Sequence, residues 1–475
     1  MIISPIQLLF NSKFYENQKS ALDLLKRVLN THGQFFRSIW PQVLNIIKSS
    51  LELSSNVSDR SGTLARHSFP CLQLICTDYL QFLPSSCVET SIDILGRFCL
   101  QPDDMNISLT SVGLMWNIAY FLREERTKSD RFDDYEMLFK SLLGKLSLLS
   151  ADSRAELRNS IIQTMIRSTT FNGSILTASL WILSLIEIIY PIYRQLSIAS
   201  AKEKAPSGIH AHDLKLWEKK WDETKCSFIG GIAKIFMDCM KKLLSLPEMV
   251  EFWNQFLEIC LQIIKIESNE VSVNMLKALK SVISSKTFGS AENRSNFMAT
   301  LAIWKKMVET ALAEKSGVSN QEIFLQLCLC FPDIYGMNVD GNFTLNDARQ
   351  SFGQFKRMVS YSFQGEIISD VDNLTPLQQS VIDNISNLRT NNTPELQCLQ
   401  LEICCELSAL PFRKNPMELE TPNQGKRNLS QSSFVAISRK ATSIIVENLK
   451  DPVICKAAIE SGIFKKVIKV KYIQD

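Results

Sequence analysis

The sequence predicts an all-α protein, an α-solenoid of HEAT- or armadillo-like helical repeats. Apolar residues recur at spacings of three and four along most of the 475-residue chain, and no sustained strand-like alternation competes with them. Short connections between the helical segments, with a period of about forty residues, mark stacked helix pairs. Glycine, at 17, and proline, at 15, are too sparse for a turn-dense β protein. With 45% hydrophobic residues and 21% charged, the chain can bury a large core, which excludes disorder as its main state.

Taken in order, the opening MIISPIQLLFNSKFYENQ has no basic leader and no small-residue cleavage site, so it does not read as a secretory signal. Phe69, Leu72, Cys76, Tyr79 and Leu83 form the first clear stripe. Val88, Ile92, Leu95 and Phe98 form the second. Val112, Met115, Trp116, Ala119 and Leu122 form the third, with Asp103 or Asp104 placed to cap its helix and Gly113 to allow close helix approach. Arg123–Asp134 reads as a charged loop. Asp152 precedes a helix carrying Leu157, Ile161, Ile162 and Met165.

Ile175–Ile198 is nearly long enough to span a bilayer, but Glu187 near its middle costs about 2.5–3.5 kcal/mol there. A buried core helix is the expectation. Further stripes run through Phe228, Ile232, Ile235, Cys239 and Leu243, then Phe252, Phe256, Cys260 and Ile263. Val273, Leu276, Leu279 and Ile283 follow, with Glu267 and Glu270 at the positive end of the helix dipole. The resulting organisation is helical repeats over 1–196, a loop at 197–213, helical repeats over 214–335 and an irregular insertion at 336–373. C-terminal helical repeats fill 374–475, interrupted by a mobile loop at 412–433.

Lysine and arginine number 52 against 49 aspartates and glutamates, a net charge of +3, so no general basic field for nucleic acid is present. The 13 cysteines lie mostly inside apolar runs without a CxxC pair, as expected for reduced, buried thiols on the cytosolic side. The sequence has no GxxxxGK[ST] or GxGxxG loop and no GxSxG elbow, so it nominates no catalytic or cofactor-binding residue. His32 reads as a helix end and His67 as structural, while His210 and His212 lack the partners a metal needs. Gly336–Asp347 imitates a calcium loop through Asn338, Asp340, Gly341 and Asp347, but Gly336 offers no first ligand. Gly365–Glu366 alone does not nominate a catalytic glutamate. The terminal Lys465, Lys466, Lys469 and Lys471 read as a solvated helix face, each contributing only about 1 kcal/mol near an anionic membrane.

Several strings occur in a telling order. FPCLQLICTDYLQFLP is followed by QPDDMNISLTSVGLMWNIAYFL and DSRAELRNSIIQTMIRSTTFNG, then by NEVSVNMLKALKSVI and TPLQQSVIDNI. The set resembles the C-terminal part of the monensin-sensitivity protein family, non-catalytic relatives of the large Golgi Arf guanine-nucleotide exchange factors. The hallmark block supplies Asn106, Ser108, Leu109, Thr110, Gly113, Trp116 and Asn117, expected mainly as architecture. Asn106, Thr110 and Asn117 are placed to bond loop backbone between repeats. Read as core, Trp116→Ala should cost about 3–5 kcal/mol.

The resemblance implies a non-enzymatic adaptor without cofactors, on the cytosolic face of the trans-Golgi network and endosomes. It implies a Dopey-family protein, an Arf-like small GTPase and a lipid flippase as partners, with peripheral membrane association. It also implies a much longer protein whose N-terminal regions are not represented here. Two alternatives are the regulatory C-terminal segment of a large Arf exchange factor and a general helical-repeat scaffold, such as a transport receptor or phosphatase subunit.

Overall fold

The computed structural model describes residues 3–54, 61–128, 134–202, 211–285, 294–314, 320–337, 343–361, 372–388, 394–412, 434–463 and 465. No strand occurs among the described residues. Two compact units divide the chain, Met1–Phe252 and Trp253–Asp475.

The first unit holds α1 (Ile3–Phe10), α2 (Tyr15–His32), α3 (Trp40–Ser54), α4 (Ser61–Leu74), α5 (Ser85–Leu100) and α6 (Met105–Lys128). It continues with α7 (Tyr135–Leu149), α8 (Ala155–Asn172), α9 (Ala178–Ile182), α10 (Tyr190–Lys202) and α11 (Ala211–Leu244). Sequential helices pair as α1 with α2, α3 with α4, α5 with α6 and α7 with α8. The pairs then stack in two rows. One runs α2–α4–α6–α8–α11, the other α1–α3–α5–α7. This is the expected α-solenoid, and the apolar stripes lie between its rows: Leu72, Ile92, Leu95, Phe98, Met115 and Ile162 are fully buried.

α12 (Met249–Ile266) crosses the division between the units. The second unit repeats the pattern with α13 (Asn269–Ile283), α14 (Arg294–Glu314), α15 (Asn320–Gly336) and α16 (Leu345–Tyr361). α17 (Pro376–Asn387), α18 (Pro394–Ser408), α19 (Val435–Asn448) and α20 (Pro452–Glu460) complete it. Its rows are α13–α15–α17–α19 and α14–α16–α18–α20. Pro332 lies inside α15 and has no N–H to give the Cys328 carbonyl four residues back. The buried Asn384 of α17 donates to that carbonyl instead, from Nδ2 at 2.8 Å.

Three connections differ from their expectations. The charged stretch after Arg123 stays helical to Lys128, because the cations Arg126 and Lys128 suit the negative end of the helix dipole. Of the loop expected at 197–213, residues 197–202 finish α10 and 211–213 begin α11, while 203–210 lie outside the described residues. The insertion expected at 336–373 contains α16, whose Phe352, Phe355, Met358 and Val359 are buried. Its start is fixed reciprocally: the Thr344 hydroxyl donates to Asp347 Oδ2 at 2.7 Å, and the Asp347 N–H donates back to that hydroxyl at 3.2 Å. Lys305 pairs with the same carboxylate at 2.8 Å, so Asp347 is engaged as a cap and ion-pair partner. Asn338, Asp340 and Gly341 of the calcium-like string fall outside the described residues, as do Gly365, Glu366 and residues 413–433.

By length and composition, the segment Ala178–Lys202 qualifies as a membrane span. Within the unit, Trp181, Leu185, Ile189, Ile192 and Leu196 are fully buried, and Glu187 faces outward. The segment is π-helical from Leu183 to Ile189 and packs on α7 there, while α10 packs on α11. None of the 13 cysteines is joined in a disulfide. Burial pushes the thiols of Cys76, Cys99 and Cys404 up to about 12, so they pack as protonated small hydrophobes.

Candidate functional site: a cleft across three helices

Asp104 caps the start of α6: its Oδ1 accepts from the N–H groups of Asn106 at 3.0 Å and Ile107 at 3.4 Å. One turn on, the fully buried Ser108 hydroxyl accepts from Gln101 Nε2 at 3.0 Å and from Arg154 Nη1 at 3.3 Å. Arg154 also donates to the Cys99 carbonyl at 2.7 Å, the Gln101 carbonyl at 3.0 Å and Asp152 Oδ1 at 2.9 Å. It thereby ties the α5–α6 turn to the α7–α8 turn. The inter-repeat bonding expected of Asn106, Thr110 and Asn117 is carried by Ser108 and Arg154.

Burial alone would raise the Asp152 carboxyl, but the side-chain and backbone hydrogen bonds of Arg154 outweigh it and hold the group below the usual carboxylate range. Asp93 is lowered likewise: burial opposes, and Lys145 with Arg97 prevails. A carboxyl depressed in the folded state contributes stability above its unfolded pKa and loses that contribution as pH falls through the folded one. Urea midpoints are therefore expected to drop as pH is lowered from about 5 to 2. Asp152→Asn, already without the charge, should show a shallower drop; an identical profile would refute the assignment.

Trp116 corrects the core expectation. Val112, Met115, Ala119 and Leu122 are fully buried, but Trp116 is only half-buried, on the outer shoulder of α6. Its indole meets Phe171 of α8 edge-on at 5.2 Å between centroids, and the Arg167 guanidinium covers it at 3.7 Å. Tyr120, 48% exposed, stacks on Phe171 at 5.7 Å, and Arg123 lies 4.4 Å over the same ring. Three rings and two guanidinium planes thus make one surface platform. Truncating Trp116 removes part of that platform rather than opening a sealed cavity.

Beside the platform is a cleft of about 770 Å³, lined among others by Ile166, Arg167, Phe171, Gly230, Lys234 and Asp238. α11 reaches its position because Gly231 lacks a side chain: a Cβ there would stand 2.7 Å from Ile166 Cγ1. Gly230 is different, since a Cβ would meet nothing within 4 Å, and its bare backbone keeps the cleft open. Gly230→Ala is expected to stabilise the protein by about 1 kcal/mol through helix propensity. Gly231→Ala should destabilise it by about 1–3 kcal/mol through overpacking. Thermal unfolding of the two neighbours checks both signs. Across Tyr120 a smaller cleft of about 380 Å³ is lined by Asp78, Asn117, Glu124, Glu125 and Lys128.

The other hallmark positions divide between interior and surface. Leu109, Thr110 and Asn117 are half-buried; Asn106 and Gly113 are exposed. A Cβ on Gly113 would touch nothing within 4 Å, so this glycine permits no close helix approach. His67 Nδ1 lies 3.2 Å from Asp23 Oδ1. His210 is outside the described residues, and His212 falls in α11. Among the described residues, no group of three or more His, Cys, Asp or Glu is placed to hold a metal. What the site offers is recognition: aromatic faces, guanidinium edges and an open cleft. Sequence reasoning missed Arg154, Arg167, Phe171 and Gly230; the DSR string before α8 and the Gly230–Gly231 pair inside a helix were the available signals.

A family model described as the C-terminal region of Mon2 protein matches residues 77–130 and 123–327, more than half of the chain. The chain belongs to the Mon2 family. The larger cleft lies inside the matched region, and so does the smaller one apart from Cys76 at its edge. Among Mon2 relatives, the MON2 homolog of Drosophila melanogaster is 28% identical over 308 residues, covering 60% of this chain and 18% of that protein. MON2 of Saccharomyces cerevisiae is 21% identical over 479 residues, covering 88% of this chain and 28% of that protein. The chain therefore spans well under a third of these relatives. A solved circular tandem repeat protein aligns with a TM-score of 0.35 at 13% identity, over 94% of this chain and 97% of that one.

Proposed function

We propose that this Mon2-family chain is the C-terminal part of a non-enzymatic scaffold in vesicle-mediated transport between endosomes and the trans-Golgi network. It works through protein–protein contacts on the cytosolic membrane face, with a Dopey-family protein, an Arf-like small GTPase and a lipid flippase as its partners. The observation that carries the reading is the aromatic–arginine platform and its open cleft, built from the hallmark block and lying within the family-matched region. Exposed aromatic and arginine side chains beside a cleft are typical protein-binding anchors. Membership in the Mon2 family favours this reading over an exchange-factor segment or a general scaffold.

The test places Gly230→Leu, which fills the cleft from an open position, in the tagged native protein. Capture should recover at least about tenfold less of one companion, with abundance unchanged. Undiminished capture of every companion, or companions unrelated to Golgi and endosomal traffic, would overturn the reading.

A further inference from the structure

The ligand chemistry of the cleft is legible from its charges. Arg123 and Arg167 lay their flat faces on Phe171 and Trp116; Arg167 is exposed and lines the cleft, and Arg123 is half-buried beside the platform. Lys234 stands on the α11 side of the same cleft, with Asp238 one turn on, so the lining carries two cations, Arg167 and Lys234, against one carboxylate. Among the described residues, none of these three cations has a carboxylate within ion-pair distance. A stacked guanidinium with a free edge matches a carboxylate through paired N–H···O bonds. On the far side of Tyr120 the sign reverses: Asp78, Glu124 and Glu125 line the smaller cleft, and Lys128 pairs with Glu125 at 3.0 Å.

We propose that the platform binds an acidic partner peptide: an apolar side chain seated in the larger cleft, carboxylates on Arg123, Arg167 and Lys234, and a basic residue at its other end facing Asp78 and Glu124. This rests on the reading of the cleft as a partner surface and adds the ligand class and its direction. The larger cleft, at about 770 Å³, falls within the roughly 300–1,000 Å³ of ligand sites and is roomy enough for an anchor. The reversal of charge selects a peptide over an anionic bilayer, because a uniformly negative surface laid on the platform would press against the acidic shoulder.

Fluorescence anisotropy with the purified chain tests this. The probe is a labelled peptide of about twelve residues with a Leu-Phe anchor, glutamates on one side and lysines on the other. Binding should weaken about tenfold or more when its glutamates become glutamine, and equally in the Arg123→Gln/Arg167→Gln protein. Reversing all three cations, as Arg123→Glu/Arg167→Glu/Lys234→Glu, should recover binding to a peptide whose glutamates are lysines. Equal binding of the glutamine peptide, indifference to the arginine changes, no binding of any peptide, or arginine-dependent binding of phosphatidylserine vesicles alone would each overturn the proposal. If Gly230→Leu strips companions from the native protein while peptide charge has no effect, the acidic ligand fails and the partner surface stands. Charge-dependent peptide binding with undisturbed capture would instead refute the scaffold reading.

Discussion

Arg158→Ala is expected to destabilise the first unit by about 3–5 kcal/mol, more than any surface change in this chain. The side chain is 1% exposed despite its charge. Nη1 donates to the carbonyls of Asp152 at 2.7 Å and Ser153 at 3.1 Å, Nε donates to Thr224 Oγ1 at 3.1 Å, and the guanidinium lies 3.6 Å over the Trp221 ring. Alanine removes those donors from a buried region and leaves a hole beside the indole. Arg158→Lys should restore little, because one ammonium cannot reach both carbonyls and Thr224 while lying flat on a ring. Urea unfolding measures both. A loss under about 1 kcal/mol for alanine would show the buried charge to be dispensable.

Trp304→Ala is the matching expectation for the second unit, at about 3–5 kcal/mol. The indole is 1% exposed, with Phe331 at 4.9 Å and Phe355 at 5.7 Å between centroids. Its Nε1 donates to the Leu327 carbonyl at 2.9 Å. Three helices, α14, α15 and α16, therefore meet on one side chain. Hydrogen exchange should quicken across those helices in the alanine variant. Trp304→Phe, which keeps a ring but loses the donor, should cost about 1–3 kcal/mol. Unchanged exchange in α15 and α16 would argue that the rings repack around the gap.

The helical framework was readable because spacing alone places Val88, Ile92, Leu95 and Phe98 on one side, and all four are buried. Trp116 was misplaced because α6 has apolar residues on both shoulders: Leu114 and Ile118 are buried as well as Met115 and Ala119. Spacing of three and four cannot tell which shoulder meets a neighbour, and only the position of α8 decides that. Arg158 was invisible for a different reason. An arginine in an amphipathic helix reads as solvated, and what buries it includes Thr224, 66 positions further along. The insertion expected at 336–373 hid a helix whose start was signalled by Thr344 and Asp347, the spacing that a calcium loop also uses.

The proline inside α15 ties two distant positions of this chain together. Exchanging Asn384 for leucine while Pro332 stays would strand a carbonyl in the interior; restoring an ordinary residue at 332 would make the asparagine superfluous. The two positions, far apart in the chain, should therefore be non-additive in a double-mutant cycle, with the leucine at 384 costing less once 332 carries an N–H.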